Sequence, residues 1–316
     1  VVEDKRIEHL ENINLDSSRV DLSSPIVFLC GGEVDIRNPL EISVRGGVLG
    51  LLSSQRPNWS LILAEHFKDW VADSVYHDLV SFEDDLAAIS SLVVLILESP
   101  GALTELGLFA RHTYLSKKLH VIVNDHHYSQ SSFIRLGPLR YLERHNSKSV
   151  CAYPWDDKSP PSLTAILPEI CHDITECLSN LDKTEAFSAE NNGHVAFLVF
   201  EIIKLYRALK FSEIESCLSA LKISINRDNL RRTLFLLDKI SLVGSIKRGH
   251  QDYYWARSDV GKINLAKLDY TKAKMAAMQF YALNSSEKQR LEVIKKVYPD
   301  PTKKLETTDM AERAAV

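Results

Sequence analysis

Residues 92–101 read Leu-Val-Val-Leu-Ile-Leu-Glu-Ser-Pro-Gly, "LVVLILESPG", and run on into "ALTELGLFARHTYLSKK" (102–118). The apolar run of 92–97 has no polar alternation, which predicts a strand buried on both faces. The Ser-Pro-Gly after it predicts a turn, and the spacing in 104–118 predicts a helix. The same pattern recurs on both sides. "PIVFLCGG" (25–32), "SLILAE" (60–65), "KLHVIVND" (118–125) and "KSVCAYP" (148–154) read as further strands, with helical stretches such as "FEDDLAAISS" (82–91) between them. Alternating strands and helices predict an α/β fold: a doubly wound parallel five-stranded sheet with right-handed crossovers. A helix over about 162–182 would close this domain.

Beyond it, "KTEAFSAENNG" (183–193) is polar, has no periodicity and reads as a linker. "VAFLVFEIIKLYRALK" (195–210) predicts a helix and "SEIESCLSAL" (212–221) a second one. Ser212 is placed to cap that second helix, with Glu215 at capping-box spacing. "NRDNLRRTLFLLDKIS" (226–241) predicts a third helix, with Leu230, Leu234, Leu237 and Ile240 on its apolar face. "LVGSIKRGHQDYYWAR" (242–257) predicts a hairpin around Gly249-His250. Helix, helix, turn, helix, hairpin is the order of a winged helix-turn-helix. The expected organisation is therefore an N-terminal extension (1–24), the α/β domain (25–182), the linker (183–193), a winged-helix domain (194–258) and a helical C-terminal tail (259–316).

No apolar run approaches the ~20 residues of a membrane span, so no membrane partner is expected. The five cysteines, Cys30, Cys151, Cys171, Cys177 and Cys217, form no CxxC pair, which suits free thiols in a reducing, cytoplasmic setting. Cys171-His172 with Cys177 has the wrong spacing for zinc. No metal is called for, and no Walker A, GxGxxG or HExxH motif is present. The charge is divided unevenly. Residues 1–193 hold 16 Lys+Arg against 28 Asp+Glu, and residues 194–316 hold 22 against 14. An acidic module joined to a basic one suggests that the second meets nucleic acid.

In an open parallel sheet, ligands bind outside the carboxyl ends of the strands. Cys30, Gly31 and Gly32 follow the first strand; Glu98, Ser99 and Gly101 follow the third. Glu105 is expected one helical turn into the next helix, beside free backbone N–H groups that would keep it ionised. An ionised carboxylate in such a crevice can attack an anomeric carbon. Glu105 is thus a catalytic candidate, with an ordinary acid near a helix start as the other reading. Gly101 would permit close approach of a sugar; Glu98 would bind a hydroxyl or face solvent. His126-His127 reads as polar surface.

"FLCGG" followed by "ESPGALTELGLF" resembles the nucleoside 2-deoxyribosyltransferase superfamily. There the catalytic Glu lies in a Gly-x-x-x-Glu-Leu-Gly arrangement, matched here by Gly101 through Gly107. From about residue 25 to 258, the chain more closely resembles the two-domain effectors of bacterial retron defence systems. "IVFLCGG", "ESPGALTELGLF", "SFIRLGPLRYLERHNSKSV" (132–150) and the helix-turn-helix order carry that resemblance. It implies that 25–182 is a deoxyribosyltransferase-like N-glycosidase domain and that the chain is a cytoplasmic toxin. Such a toxin would cleave the base–ribose bond of a nucleotide, NAD⁺ in particular, as substrate rather than cofactor. The resemblance further implies restraint by a retron reverse transcriptase and its branched RNA–DNA (msDNA), and a homo-oligomer. Glu105 matches the family nucleophile, and Glu83 an acid at the start of the preceding helix that contacts base or ribose.

Two departures put base exchange between deoxynucleosides in doubt. Phe28-Leu29-Cys30 stands where many deoxyribosyltransferases carry a Tyr, and Ser99 stands where they carry an Asp. A cationic nicotinamide leaves readily and needs less acid assistance. The Pro-Gly-x-x-x-Glu stretch is also similar to lonely-guy-type phosphoribohydrolases, whose Gly-Gly-x-Gly-Thr loop is missing. Two alternatives therefore stand beside the toxin: a base-cleaving or base-transferring enzyme of nucleosides or deoxynucleotides, and a nucleotide-sensing transcription regulator. In the basic half, Arg227, Arg231 and Arg232 lie off the apolar face of the third helix, and Lys247 and Arg248 sit near the hairpin tip. Phosphate contact needs such residues on a recognition helix and wing. Winged helices also dock proteins, with the arginines then a solvated face.

Overall fold

The computed structural model describes residues 3–34, 43–55, 60–65, 75–156 and 160–299. The chain opens with α1 (Arg6–Glu11), β1 (Asn14–Asp21), β2 (Ile26–Cys30), α2 (Val44–Gln55), β3 (Ser60–Ile62) and α3 (Leu79–Ile89). Then come β4 (Leu92–Ile96), α4 (Pro100–Phe109), β5 (Leu119–Asn124), α5 (Asp125–Ser129), α6 (Arg140–His145), β6 (Val150–Tyr153) and α7 (Pro160–Ser179). The remainder holds β7 (Thr184–Ala186), α8 (Asn192–Tyr206), β8 (Ala208–Lys210), α9 (Phe211–Ala220) and α10 (Arg227–Lys239). It ends with β9 (Val243–Arg248), β10 (Gln251–Ala256), β11 (Ile263–Ala266), α11 (Tyr270–Leu283) and α12 (Lys288–Val297). Among the described residues, no helix is long and apolar enough to cross a membrane.

Two compact units result. One comprises Asp21–Glu185 with Glu190–Gly193; the other comprises Val1–Val20, Ala186–Ala189 and His194–Val316. In the first unit, five parallel strands form one sheet in the order β3-β2-β4-β5-β6. Every residue of β2, β4 and β5 is buried. Both faces of these strands are covered, which is why their sequences do not alternate. Val27, Leu29, Val94, Ile96 and Ile122 share one core with Val44, Val48 and Leu52 of α2 and with Leu167, Ile170 and Ile174 of α7. The two helices pack closely: a Cβ on Gly47 of α2 would lie 2.5 Å from Leu167 Cδ1. Side chains alternate along a strand, so Phe28 and Cys30 of β2 point to the other face.

In the second unit, β1 pairs antiparallel with β11, with Val20 opposite Ile263. β8, β10 and β9 form a separate antiparallel sheet in the order β8-β10-β9. The β9–β10 hairpin turns at Gly249-His250, where Gly249 takes φ +58°, a conformation glycine adopts without a Cβ penalty. On α10, Leu230, Leu234, Leu236 and Leu237 are buried. The buried face is therefore wider than the expected stripe, and Ile240 becomes the half-buried C-cap.

Several expectations need correction. The stretch 183–193 carries β7 and the start of α8 rather than a featureless linker. The stretch 1–24 holds α1 and β1, and residues through Val20 group with the C-terminal half. The stretch 259–316 begins with β11 before its helices, and residues from 300 onward lie outside the described part. The helix expected over 195–210 stops at Tyr206: Arg207 takes φ +68°, and β8 follows. Ser212 does not cap α9. The cap is Lys210, whose N–H donates to Glu213 Oε2 at 2.7 Å.

Candidate active site

The strand order sets β2 beside β4, so the segments leaving their carboxyl ends meet. Glu98, just past β4, does not face solvent. Its Oε1 accepts the N–H of Gly32 at 3.0 Å and of Arg45 at 2.9 Å, and its Oε2 accepts the N–H of Val44 at 2.8 Å. The carboxylate thereby occupies free donors at the start of α2, a favoured place for negative charge. Burial nonetheless lifts its pKa above the usual range, against these three hydrogen bonds. The two glycines make the contact possible, since a Cβ on Gly32 would lie 2.9 Å from Glu98 Cδ and one on Gly31 3.1 Å from Arg45 Cβ. Ser99 is the N-cap of α4: its Oγ accepts the Ala102 N–H at 3.1 Å and donates to Gly31 O at 3.0 Å. Gly101 differs from the other two. A Cβ there would meet only Ser99 Oγ at 3.7 Å, so nothing in the described chain demands a glycine.

Glu105 lies six residues past the cap of α4, beyond the first-turn N–H groups expected to hold it ionised. Its neighbours decide its charge. Burial raises its pKa above the ordinary carboxylate value, and a hydrogen bond with Glu83, the charge of Arg45 and a contact with the Cys30 thiol offset only part of that rise. Glu105 Oε2 is buried and has no hydrogen-bond partner among the described residues. Glu83, in the second turn of α3, is pushed up to about 8 by burial first and by the charge of Glu105 second. Two carboxyls this close do not ionise together, and the pair titrates as a unit. The Cys30 thiol, buried beside both, is raised well above its ordinary value by burial and by their charges. It stays a neutral thiol.

Sequence reasoning missed Arg45 and Glu65. Arg45, on α2, is 3% exposed. Its Nε donates to Leu29 O at 3.0 Å and its Nη1 to Gly32 O at 3.0 Å. Its two Nη atoms grip Glu65 Oε1 and Oε2, each at 2.6 Å. The signals were there. An arginine in the apolar run "ISVRGGVLG" (42–50) has to find a partner, and Glu65 ends the stretch read as the second strand.

A cleft of about 350 Å³ opens nearby, lined by Glu98, Ser99, Leu103, Asn124, His127 and Trp155 among others. It lies at the ends of β4, β5 and β6, and Glu105 is not among its walls. His127, expected as plain surface, belongs to α5 and to this cleft.

In the second unit, Arg227 is exposed, pairs with Glu215 at 3.2 Å and stacks over the Phe211 ring at 5.1 Å. Arg231, also exposed, pairs with Asp228 at 2.8 Å. Arg232 is half-buried. On the hairpin, exposed Lys247 stands opposite Asp252, and half-buried Arg248 has its Nε without a hydrogen-bond partner among the described residues.

The profile of the STM3845 retron effector protein family matches residues 41–245. An Escherichia coli protein named "Retron Ec86 putative ribosyltransferase/DNA-binding protein" is 36% identical over 124 residues, and its retron Ec73 counterpart, also from Escherichia coli, is 32% identical over 127. Each alignment covers 39% of this chain and 39% of the relative, so the chain spans about two fifths of the length of the curated relatives it matches. With about two thirds of its length matched by that profile, this chain belongs to the STM3845 retron effector family.

Proposed function

We propose that this chain is the toxin of a retron antiphage system and acts as an N-glycosidase on a nucleotide, with NAD⁺ as the first substrate to test. The observation that carries this reading is the unequal carboxyl pair. Burial raises both carboxyls; Glu83 is pushed up to about 8 by burial and by the charge of Glu105, while the Glu83 hydrogen bond and the charge of Arg45 offset part of the rise at Glu105. Two neighbouring carboxyls that cannot both ionise suit an acid and a nucleophile. The position is also supportive. In a doubly wound sheet, ligands sit where strand order reverses, here between β2 and β4.

In this mechanism a Glu105 oxygen attacks the sugar C1′ as the C1′–N bond breaks, and the bonding pair leaves with the base. A neutral base takes the Glu83 proton, and a cationic nicotinamide departs as the neutral amide without it. Water then attacks C1′ and releases the Glu105 carboxylate. The proton from water goes to ionised Glu83 in the first case and to solvent in the second. The names of the two Escherichia coli relatives agree with chemistry at a ribosyl carbon.

α8, α9 and α10 with the β9–β10 hairpin form a winged helix in this reading, and Arg227, Arg231, Arg232, Lys247 and Arg248 meet nucleic acid. The partner would be the retron's branched RNA–DNA with its reverse transcriptase. Surface ion pairs such as Arg231–Asp228 contribute only about 0–1 kcal/mol, so a phosphate can replace the acidic partner.

The test is chromatography of NAD⁺, deoxynucleoside monophosphates and nucleosides after incubation with the protein and with Glu105→Gln, both with and without the cognate RNA–DNA and reverse transcriptase. Base release should fall about 10³-fold or more in the variant. Equal release by both proteins, or none in any state, rejects the reading.

A further inference from the structure

The cleft at the ends of β4, β5 and β6 is not used by the chemistry at Glu105. Its volume of about 350 Å³ is at the small end of ligand clefts, about 300–1,000 Å³, and suits one base with its sugar rather than a whole dinucleotide. Leu97, Leu103, Val123 and Ile134 make its walls apolar, and the Trp155 indole and His127 imidazole add aromatic surface. Most of its polar side chains are committed elsewhere. Asn124 Nδ2 donates to Trp155 O at 2.7 Å, and its Oδ1 accepts the His126 N–H at 2.9 Å. Ser99 and Glu98 are held by the starts of α4 and α2. The His127 ring makes no hydrogen bond among the described residues, so its nitrogens remain to meet a ligand. No lysine or arginine is among the described wall residues, so the cleft is not built for a phosphate. Aromatic surface with one imidazole to exchange a hydrogen bond suits an uncharged heteroaromatic base.

The cleft and Glu105 lie on opposite flanks of α4. Leu103 lines the cleft, and Glu105, two residues on, stands about 200° around the helix. Gly101 is one turn before Glu105 on the same flank. A Cβ there would meet only Ser99 Oγ at 3.7 Å, so the space above it is open. Ser99 and Pro100, the residues just before Gly101, line the cleft. We propose that the cleft holds the second base of a dinucleotide whose scissile glycosidic bond lies at Glu105, the link between the two crossing the start of α4 at Gly101. This rests on the reading of Glu105 as nucleophile and narrows its substrate from nucleotides at large to dinucleotides.

The experiment is titration calorimetry of adenosine, an uncharged base with its sugar, into the Glu105→Gln protein, where no turnover is expected. Two changes are compared in that background. Leu103→Gln combined with His127→Ala strips the cleft; both side chains are exposed, Leu103 by 41%, so the fold is kept. Leu108→Gln makes the same exchange at a leucine of α4 that is 45% exposed and does not line the cleft, and so controls for loosening of the helix. Adenosine should bind the unaltered cleft and the Leu108→Gln protein alike, and the double variant about tenfold or more weakly. No binding at about 1 mM adenosine, an unchanged affinity in the double variant, or an equal loss in the Leu108→Gln control overturns the proposal. With Glu105 restored, the double variant should raise KM for NAD⁺ about tenfold at similar kcat and leave kcat/KM for nicotinamide mononucleotide within about twofold. Equal losses on both substrates overturn the proposal. Base release without adenosine binding overturns it and leaves the functional reading standing. Adenosine binding of the expected pattern in a protein that releases no base overturns the functional reading alone.

Discussion

At the scale of single residues, the unequal carboxyl pair links the site to stability. Burial and Glu105 lift Glu83 to about 8, whereas in the unfolded chain a glutamate titrates near 4.3. Folding therefore favours the protonated form. That contribution is complete below the unfolded value and is lost as pH rises through about 8. Glu83→Gln cannot ionise and keeps it. The variant should match the parent near pH 4 and exceed it at pH 9 by about 1–2 kcal/mol, after allowance for solvent screening of a partly exposed group. Urea unfolding at the two pH values measures this, and an equal difference at both refutes the protonation assigned to Glu83. The position of Glu105 was legible as an acid after a buried strand, and that of Glu83 through the family resemblance. Their charge states were not, because these depend on Arg45 and on each other across three helices.

At the scale of elements, the caps show what local sequence carries. Asn226 caps α10 by accepting the Asn229 N–H at 2.7 Å, and Asp78 caps α3 by accepting the Ser81 N–H at 2.7 Å. Such contacts span three residues and are readable directly from sequence. The α9 cap was misread because β8 extends the chain to Lys210, so the helix starts before Ser212. Asn226→Ala should cost about 1 kcal/mol. Ser212→Ala should stay within about 0.5 kcal/mol of the parent. Thermal or urea unfolding of the two variants tests both, and a larger loss for Ser212→Ala would reinstate it as the cap. The strands of the first unit were read with little error for the same local reason: two buried faces leave continuous apolar runs.

At the scale of the whole molecule, a buried ion network organises the second unit. Arg290 is 0% exposed and donates to Glu213 Oε1 at 2.6 Å and Oε2 at 2.8 Å, and to Ala208 O at 2.6 Å. Arg6 reaches the same Glu213 Oε1 at 2.7 Å. Residues 6, 213 and 290 thus meet in one cluster that joins α1, α9 and α12. Burial works to raise Glu213, but Arg290 and Arg6 hold it below the usual carboxylate range. Arg290→Met should cost about 3–5 kcal/mol because it leaves Glu213 short of a buried partner. Loss of less than about 1 kcal/mol in urea unfolding would show that Arg6 alone suffices.

By itself, the sequence determined the period-free strands, the Ser-Pro-Gly turn that starts α4, the acidic and basic halves and the motif around Glu105. Each of these is written in neighbouring residues. Only the tertiary structure decided that Glu98 binds the start of α2, that Arg45 stands behind Cys30 and that Glu83 and Glu105 share a site. It also decided that residues 1–20 belong with the C-terminal half. These are partnerships between residues tens to hundreds of positions apart. Their energies come from burial and from charges brought close in a weakly screening interior, which no local pattern encodes.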